Sequence, residues 1–211
     1  MSPPNQPEKP LRFDQQIIAA WIEPGSRVID LGCGTGDLLH YLKRHKNIRG
    51  TGIEQNEAKV EQCISKGLTV LQGDINEEIL DYPENAFDYV ILSQTLQQVY
   101  RPDDLLRKLI LVGRQVVVSF PNFSYWRSRL QLLLSGRAPK TRQLPFEWYD
   151  TPNIRVITLK DFREFAGRLE ISILREAAIN THHSDLQGKI VRFLPNLLAT
   201  YGIMLIGRTK D

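Results

Sequence analysis

A glycine-rich turn behind a short apolar strand is the part of the sequence best suited to chemistry. Residues 28–36 read VIDLGCGTG, so Asp30 is followed by Gly32, Gly34 and Gly36 at every second position. Glycine is needed where the backbone adopts a positive φ angle or where a ligand touches the main chain. Because the next helix directs its free N–H groups into this turn, the pattern predicts a ligand site there.

Three kinds of ligand use such a turn, and the spacing separates them. The dinucleotide motif GxGxxG would need glycine at Asp37 or Leu39, and no Gly-Lys-Ser/Thr phosphate loop is present. The carboxylate of Asp37 would also repel a pyrophosphate. S-adenosylmethionine (SAM) instead carries an ammonium and a sulfonium. Asp30 can orient the turn or reach that ammonium, directly or through water.

Two further elements fit the same ligand at the ends of the next two predicted strands. Glu54 can accept hydrogen bonds from both ribose hydroxyls, whereas Asp74 can accept from the adenine amine and Ile75 can pack on the ring. Each acid alone is more often a loop-fixing residue, a solvated strand end or a turn residue. Together they lie at strand ends where open α/β sheets bind ligands, and this combination is much more specific.

The elements that must hold these residues alternate between strand and helix. Strands are predicted at 28–31, 51–54, 68–72, 87–93, 115–120, 171–175 and 203–208. The first helix is predicted to begin at Phe13 and to be stopped by Pro24-Gly25. Further helices are predicted at 37–45, 57–66, 103–112 and 159–167, with Gly113 as a helix-ending glycine. This order predicts an α/β, Rossmann-like fold: a mostly parallel seven-stranded sheet with helices on both faces. We expect the last strand to return antiparallel.

The sequence predicts one domain over residues 11–211, preceded by a disordered tail at 1–10. The segment 121–157 breaks the alternation and mixes aromatic with basic side chains. These are Phe123, Tyr125, Trp126, Phe146, Trp148 and Tyr149, with Arg127, Arg129, Arg137, Lys140, Arg142 and Arg155. Three interpretations stay open: the core of a lid with a solvated basic rim, a protein interface, or a nucleic-acid surface.

Composition narrows the class of protein. The 211 residues are 42% hydrophobic and 24% charged, with a net charge of +3, which is too small to indicate nucleic-acid binding. The two cysteines, Cys33 and Cys63, form no disulfide framework and no zinc motif, so no metal is expected. The start is polar and proline-rich, and no run is long enough to span a membrane. We therefore expect a cytoplasmic protein.

Residues 28–120 resemble the class I SAM-dependent methyltransferases, with matches at Asp30, Gly32, Gly34, Gly36, Glu54 and Asp74. Three further runs resemble the bacterial MetW family of methionine biosynthesis proteins: LSQTLQQV at 92–99, VVSFPNFSYW at 117–126 and LPFEWYDTPNI at 144–154. This resemblance implies a role beside a homoserine O-acyltransferase, as an accessory or activating subunit. It also implies SAM or S-adenosylhomocysteine as the ligand.

Whether the chain transfers a methyl group stays open at this point. The methyl of SAM is already activated, so the reaction needs mainly an acceptor held in line. The end of the fourth strand lacks the Asn/Asp-Pro-Pro-aromatic cluster of amino methyltransferases and carries Gln94, Gln97 and Gln98 instead. We therefore assign no catalytic residue. The alternatives are an active methyltransferase on a small molecule and a fold whose site is empty.

Overall fold

The computed structural model describes residues 9–142, 144–182 and 185–209. Within these ranges, eight strands form one sheet in the order β3-β2-β1-β4-β5-β8-β6-β7. The strands are β1 (Arg27–Leu31), β2 (Arg49–Glu54), β3 (Thr69–Gln72), β4 (Phe87–Ser93), β5 (Gly113–Pro121), β6 (Ile171–Asn180), β7 (Lys189–Ile190) and β8 (Tyr201–Arg208). Residues 1–8 of the predicted tail lie outside the described part.

Helices connect the strands and cover both faces of the sheet. They are α1 (Phe13–Trp21), α2 (Asp37–Lys46), α3 (Glu57–Ser65), α4 (Ile75–Glu78), α5 (Pro102–Val112), α6 (Trp126–Ser135), α7 (Leu159–Arg168) and α8 (Pro195–Leu198). Strand β1 shows how the faces divide. Ile29 and Leu31 join the cluster that holds α5 and α7, whereas Val28 joins the cluster that holds α1 and α2.

The sheet is parallel from β3 through β5 and antiparallel beyond. Strand β8 runs antiparallel between β5 and β6, with Val117 opposite Leu205, which confirms the predicted return of the last strand. The predicted number of seven strands is wrong by one, because the two-residue strand β7 pairs with the end of β6. A strand this short has no alternating pattern that a sequence could reveal. No helix in the described ranges is long and apolar enough to cross a membrane.

The structure adds detail to two local predictions, and Gly113 ends α5 as predicted. Gly113 follows α5 but has a φ of −108°, so it is not a left-handed helix cap. A Cβ at this position would lie 2.5 Å from Cγ2 of the buried Val90, so close packing requires the glycine. The irregular segment 121–157, called the lid segment below, contains the helix α6 and the last residue of β5.

Replacement of Gly113 by alanine tests this packing. Because the added methyl collides with Val90, Gly113→Ala should lower the free energy of unfolding by about 1–3 kcal/mol. Gly167→Ala in α7 is the control, since no described atom lies within 4 Å of its Cβ position; it should raise stability by about 0.5–1 kcal/mol. Urea unfolding measures both, and equal effects of the two variants would contradict this account.

Candidate functional site

The turn after β1 has a backbone that only glycine adopts without strain. Gly32, Gly34 and Gly36 have φ angles of 74°, 58° and 73°. The N–H groups of Gly32 and Cys33 both donate to the carbonyl of Ile53, at 2.8 and 3.0 Å. The tip of β2 therefore fixes the turn, and Gly36 ends it as the N-cap of α2.

The three glycines differ in what surrounds them. A Cβ on Gly32 would lie 2.8 Å from Oγ1 of Thr95, and one on Gly36 would lie 2.5 Å from Cδ1 of Leu68. A Cβ on Gly34 would meet no described atom within 4 Å, and this residue lines a cavity. Two glycines thus serve close packing, and the third leaves the main chain open to a ligand.

Asp30 is the most unusual group in the site. It is 3% exposed, and among the described residues nothing donates a hydrogen bond to its Oδ1. Burial raises the pKa of Asp30 to about 7, an effect that Arg12 opposes and Glu54 reinforces. A buried carboxylate without a donor is costly, so a bound cation with N–H groups would relieve the site.

Glu54 points into the glycine turn, and the ribose contact predicted for it stays a prediction. Its Oε2 accepts the Gly34 N–H at 2.9 Å, and its Oε1 accepts the Asn56 N–H at 3.0 Å. Lys59 lies 3.9 Å away. These contacts use part of what a carboxylate can accept, since its two oxygens offer about four lone-pair directions. Glu54 therefore joins the tip of β2 to the turn and keeps capacity for a further donor.

Asp74 and Ile75 lie beside this strand tip but make other contacts. The Asp74 carboxylate caps α4, where it accepts the main-chain and side-chain N–H groups of Asn76 at 2.8 and 2.7 Å. Ile75 is half-buried against the core. The Gly73 N–H donates to the Glu54 carbonyl at 3.2 Å, which holds the start of the segment 73–75 beside the end of β2. The roles predicted for Asp74 and Ile75 stay predictions.

A cavity of about 490 Å³ opens above the turn. Of the predicted residues, Asp30, Gly32 and Gly34 line it, and Glu54 lies against Gly34. Sequence reasoning missed several lining residues from the start of the chain and from the lid segment. These are Lys9, Arg12, Gln15, Pro145, Phe146, Pro152 and Asn153. For two of them the sequence offers a signal, because Arg12 and Gln15 are three residues apart at the start of a predicted helix and so lie on one face of it.

A hydrogen-bonded network joins α1 to the loop after β4. Arg12 donates to both oxygens of the buried Asp14, at 3.1 and 3.0 Å, and Gln94 Nε2 donates to Asp14 Oδ2 at 2.7 Å. Gln94 has a φ of 54°, a left-handed conformation unusual for glutamine. Strained residues of this kind cluster at functional sites.

The two cysteines lie behind the turn and contact each other. The Sγ atoms of Cys33 and Cys63 are 4.0 Å apart. The hydrogen bond with Cys63, together with burial, raises the pKa of the Cys33 thiol, which keeps it neutral. This agrees with a space-filling thiol rather than a nucleophile. Within the described ranges, no group of three His, Cys, Asp or Glu residues could hold a metal.

A second cavity, of about 620 Å³, adjoins the first within the lid segment. Phe146 and Asn153 line both cavities and so form part of the wall between them. On its outer side the segment exposes large side chains, with Trp148 76% and Leu133 80% accessible. The same stretch of chain thus borders the site and forms part of the outer surface.

Sheet order, glycine turn and helix placement together define the class I SAM methyltransferase fold. A SAM-dependent methyltransferase structure from Thermotoga maritima, described as a possible histamine N-methyltransferase, covers 93% of this chain with a TM-score of 0.67. The match covers 87% of that chain at 15% identity, so the likeness concerns the fold alone.

Sequence comparisons assign the chain to a particular family within this fold class. Residues 12–206 match the family model of methionine biosynthesis protein MetW, and the chain belongs to that family. A bifunctional methionine biosynthesis protein MetXA/MetW from Rhodopirellula baltica is 36% identical over 175 residues, which cover 79% of this chain. A ubiquinone/menaquinone biosynthesis C-methyltransferase, UbiE, from Stenotrophomonas maltophilia is 30% identical over 104 residues, 46% of this chain. The chain spans 28% and 41% of these relatives' lengths.

The raised pKa of Asp30 predicts a pH-dependent stability. Because the folded chain holds this proton more tightly than the unfolded chain, the contribution of Asp30 is fully present at low pH. It is lost as pH rises from 3.8 to about 7. Relative to Asp30→Asn, the free energy of unfolding of the unmodified protein should fall by about 3–4 kcal/mol over that window.

Urea unfolding at a series of pH values measures this difference. The control is Asp81→Asn, which changes an exposed carboxyl and should keep the slope of the unmodified protein. If the free energy of unfolding of Asp30→Asn depends on pH as that of the unmodified protein does, protonation of Asp30 is not the cause of the pH dependence.

Proposed function

We propose that the chain binds SAM or S-adenosylhomocysteine in the cavity above the glycine turn. The observation that carries this proposal is the unpaired oxygen of Asp30, buried beside a turn whose open glycine, Gly34, leaves room for a ligand. Of the ligands that use glycine-rich turns, SAM offers a cation, whereas nucleotides offer a phosphate. A buried anion favours the cation.

The charges around the cavity suit an amino acid at one end of the ligand. Asp30 would accept the ammonium, whereas Lys9 and Arg12 are cations on the cavity wall that would attract the carboxylate. The pairing of Arg12 with Asp14 holds its guanidinium in place beforehand. A preorganised site loses less entropy when the ligand binds.

The nucleoside would lie toward the tips of β2 and β3. Glu54 would accept the ribose hydroxyls beside its contact with Gly34. Asp74 would accept the adenine amine, and Ile75 would pack on the ring. Gly34, whose Cβ position is open, would let the backbone lie flat against the bound molecule, whereas Gly32 and Gly36 would allow the close packing that shapes the turn.

We further propose that the chain acts with a homoserine O-acyltransferase as an accessory or activating subunit in methionine biosynthesis. The relative from Rhodopirellula baltica supports this, because its name joins MetXA and MetW in one bifunctional polypeptide. Fusion keeps two segments at high effective concentration, which is useful when they act together.

The lid segment is the surface proposed for this partner. Leu133, Trp148, Tyr149 and Val156 are exposed there, and the same segment carries several basic residues. Tryptophan, tyrosine and arginine are the residues most enriched at the energetic centres of protein interfaces. SAM is made from methionine, so binding of SAM could then report methionine status to the acyltransferase if the two sites are coupled.

A second candidate function is methyl transfer to a small molecule. The similarity to the C-methyltransferase UbiE favours it. Turnover of labelled SAM with homoserine-pathway acceptors would support this candidate. Co-purification with an acyltransferase, whose activity falls when this chain is removed, would support the accessory role.

Calorimetry with SAM tests the site directly. Because the ribose contact is lost, Glu54→Ala should weaken binding by about 1–3 kcal/mol. Glu57→Ala, at the exposed start of α3, is the matched control and should bind SAM as the unmodified protein does. If the unmodified protein produces no binding heat and no thermal stabilisation with either SAM or S-adenosylhomocysteine, the proposed site is wrong.

Capture of the acyltransferase by the purified chain tests the partner. Trp148→Ala should weaken the complex by about 2 kcal/mol or more, as expected for an aromatic residue at an interface centre. Phe193→Ala removes a similarly exposed aromatic outside the lid segment and should leave capture unchanged. Capture that is equal for both variants would show that the partner docks elsewhere.

A further inference from the structure

Gln97 carries an unpaired acceptor on the wall of the same cavity. It lies in the 3₁₀ turn Leu96–Gln98 after β4, and it is 4% exposed. Its Nε2 donates to the carbonyl of Gln94 at 2.6 Å, which fixes the orientation of the amide because a carbonyl must receive a donor. Its Oε1 is buried, and no residue of the described ranges donates to it.

The contacts of Gln97 place it on the amino-acid side of the proposed ligand. Gln97 bonds to Gln94, whose side chain bonds to Asp14, which in turn holds Arg12. Thr95, between the two glutamines, lies against Gly32 of the turn. The unpaired oxygen thus belongs to the same network as Arg12, the cation proposed for the carboxylate. The residue Gln97, like Asp30, lines the cavity.

The main chain of the same residue holds the lid segment. The carbonyl of Gln97 accepts the N–H groups of Ile154 and Arg155, both at 3.0 Å. The Arg155 side chain also donates to the carbonyl of Tyr100. The main chain of Gln97 therefore holds the lid segment a few residues before α7 begins.

We propose that Gln97 is a ligand-contact residue that joins occupancy of the cavity to the position of the lid segment. Its Oε1 accepts an N–H from the ammonium of the bound SAM or S-adenosylhomocysteine, which fixes the position of Gln97. Because its main-chain carbonyl accepts the N–H groups of Ile154 and Arg155, these two residues are then held more firmly as well. An ammonium has three N–H donors, enough for both Asp30 and Gln97. This inference rests on the proposed SAM site and adds a contact and a consequence to it.

Calorimetry with two ligands tests the contact. S-Adenosylhomocysteine carries the ammonium, whereas 5′-methylthioadenosine has the same nucleoside without the amino acid. Gln97→Met keeps the side-chain length and removes the amide oxygen, together with the Nε2 donor to the Gln94 carbonyl. It should weaken the first ligand about fivefold to twentyfold and change the second less than about twofold. Gln62→Met, on the exposed side of α3, is the control and should change neither.

Hydrogen exchange tests the link to the lid segment in the unmodified protein, so this test stands even if Gln97→Met folds poorly. S-Adenosylhomocysteine should slow exchange at Ile154 and Arg155 more than 5′-methylthioadenosine does, at equal saturation. Equal protection by the two ligands, or equal affinity of Gln97→Met and the unmodified protein for S-adenosylhomocysteine, would overturn the inference. Absence of any binding by the unmodified protein would instead refute the proposed site.

Discussion

The site depends on one contact, in which the Glu54 carboxylate accepts the Gly34 N–H across the gap between two strand tips. The turn around it has three glycines with positive φ, and glycine loses more conformational freedom on folding than other residues, so the turn needs external support. The carbonyl of Ile53 and the carboxylate of Glu54 supply that support from β2. The N–H of Gly34 is committed to Glu54, and Asp30 Oδ1 receives no donor from the described residues.

Two acids so close together would be unfavourable in an enclosed site without compensation. Glu54 is compensated by two main-chain donors and by Lys59, whereas Asp30 has chiefly the more distant field of Arg12. Burial is the main cause that raises the pKa of Asp30, and the charge of Glu54 adds to it. The proposed zwitterion would satisfy both needs with one molecule, since its ammonium would meet Asp30 while its carboxylate would meet Lys9 and Arg12, which line the same cavity. A pyrophosphate would instead add negative charge beside Asp30 and Glu54, which are already acidic.

Much of this arrangement could be predicted from the sequence because it is local or repeats regularly. The glycine spacing predicted the turn, and the alternation of strands and helices predicted the parallel sheet and brought the Asp30 and Glu54 strand tips together. The contacts between distant segments could not be predicted. Nothing in the sequence near Gln97 indicates that its carbonyl holds Ile154, 57 residues later, or that Phe146 lines the cavity. Lys9 falls within the predicted tail, because its place on the cavity wall also depends on contacts with distant segments.

The lid segment also bears on why a methyltransferase fold would suit an accessory subunit. Residues within a few positions of one another differ in their surroundings. Phe146 and Asn153 line the cavity above the glycine turn, whereas Tyr149 is exposed and Trp148, which lines the second cavity, is exposed as well. A short stretch of chain cannot rearrange on one side without affecting the other. A ligand that favours one position of the segment must then alter the affinity of whatever binds outside, and that partner must alter the ligand's affinity by the same factor. Such coupling requires a binding site and a bordering segment, and it requires no catalytic base.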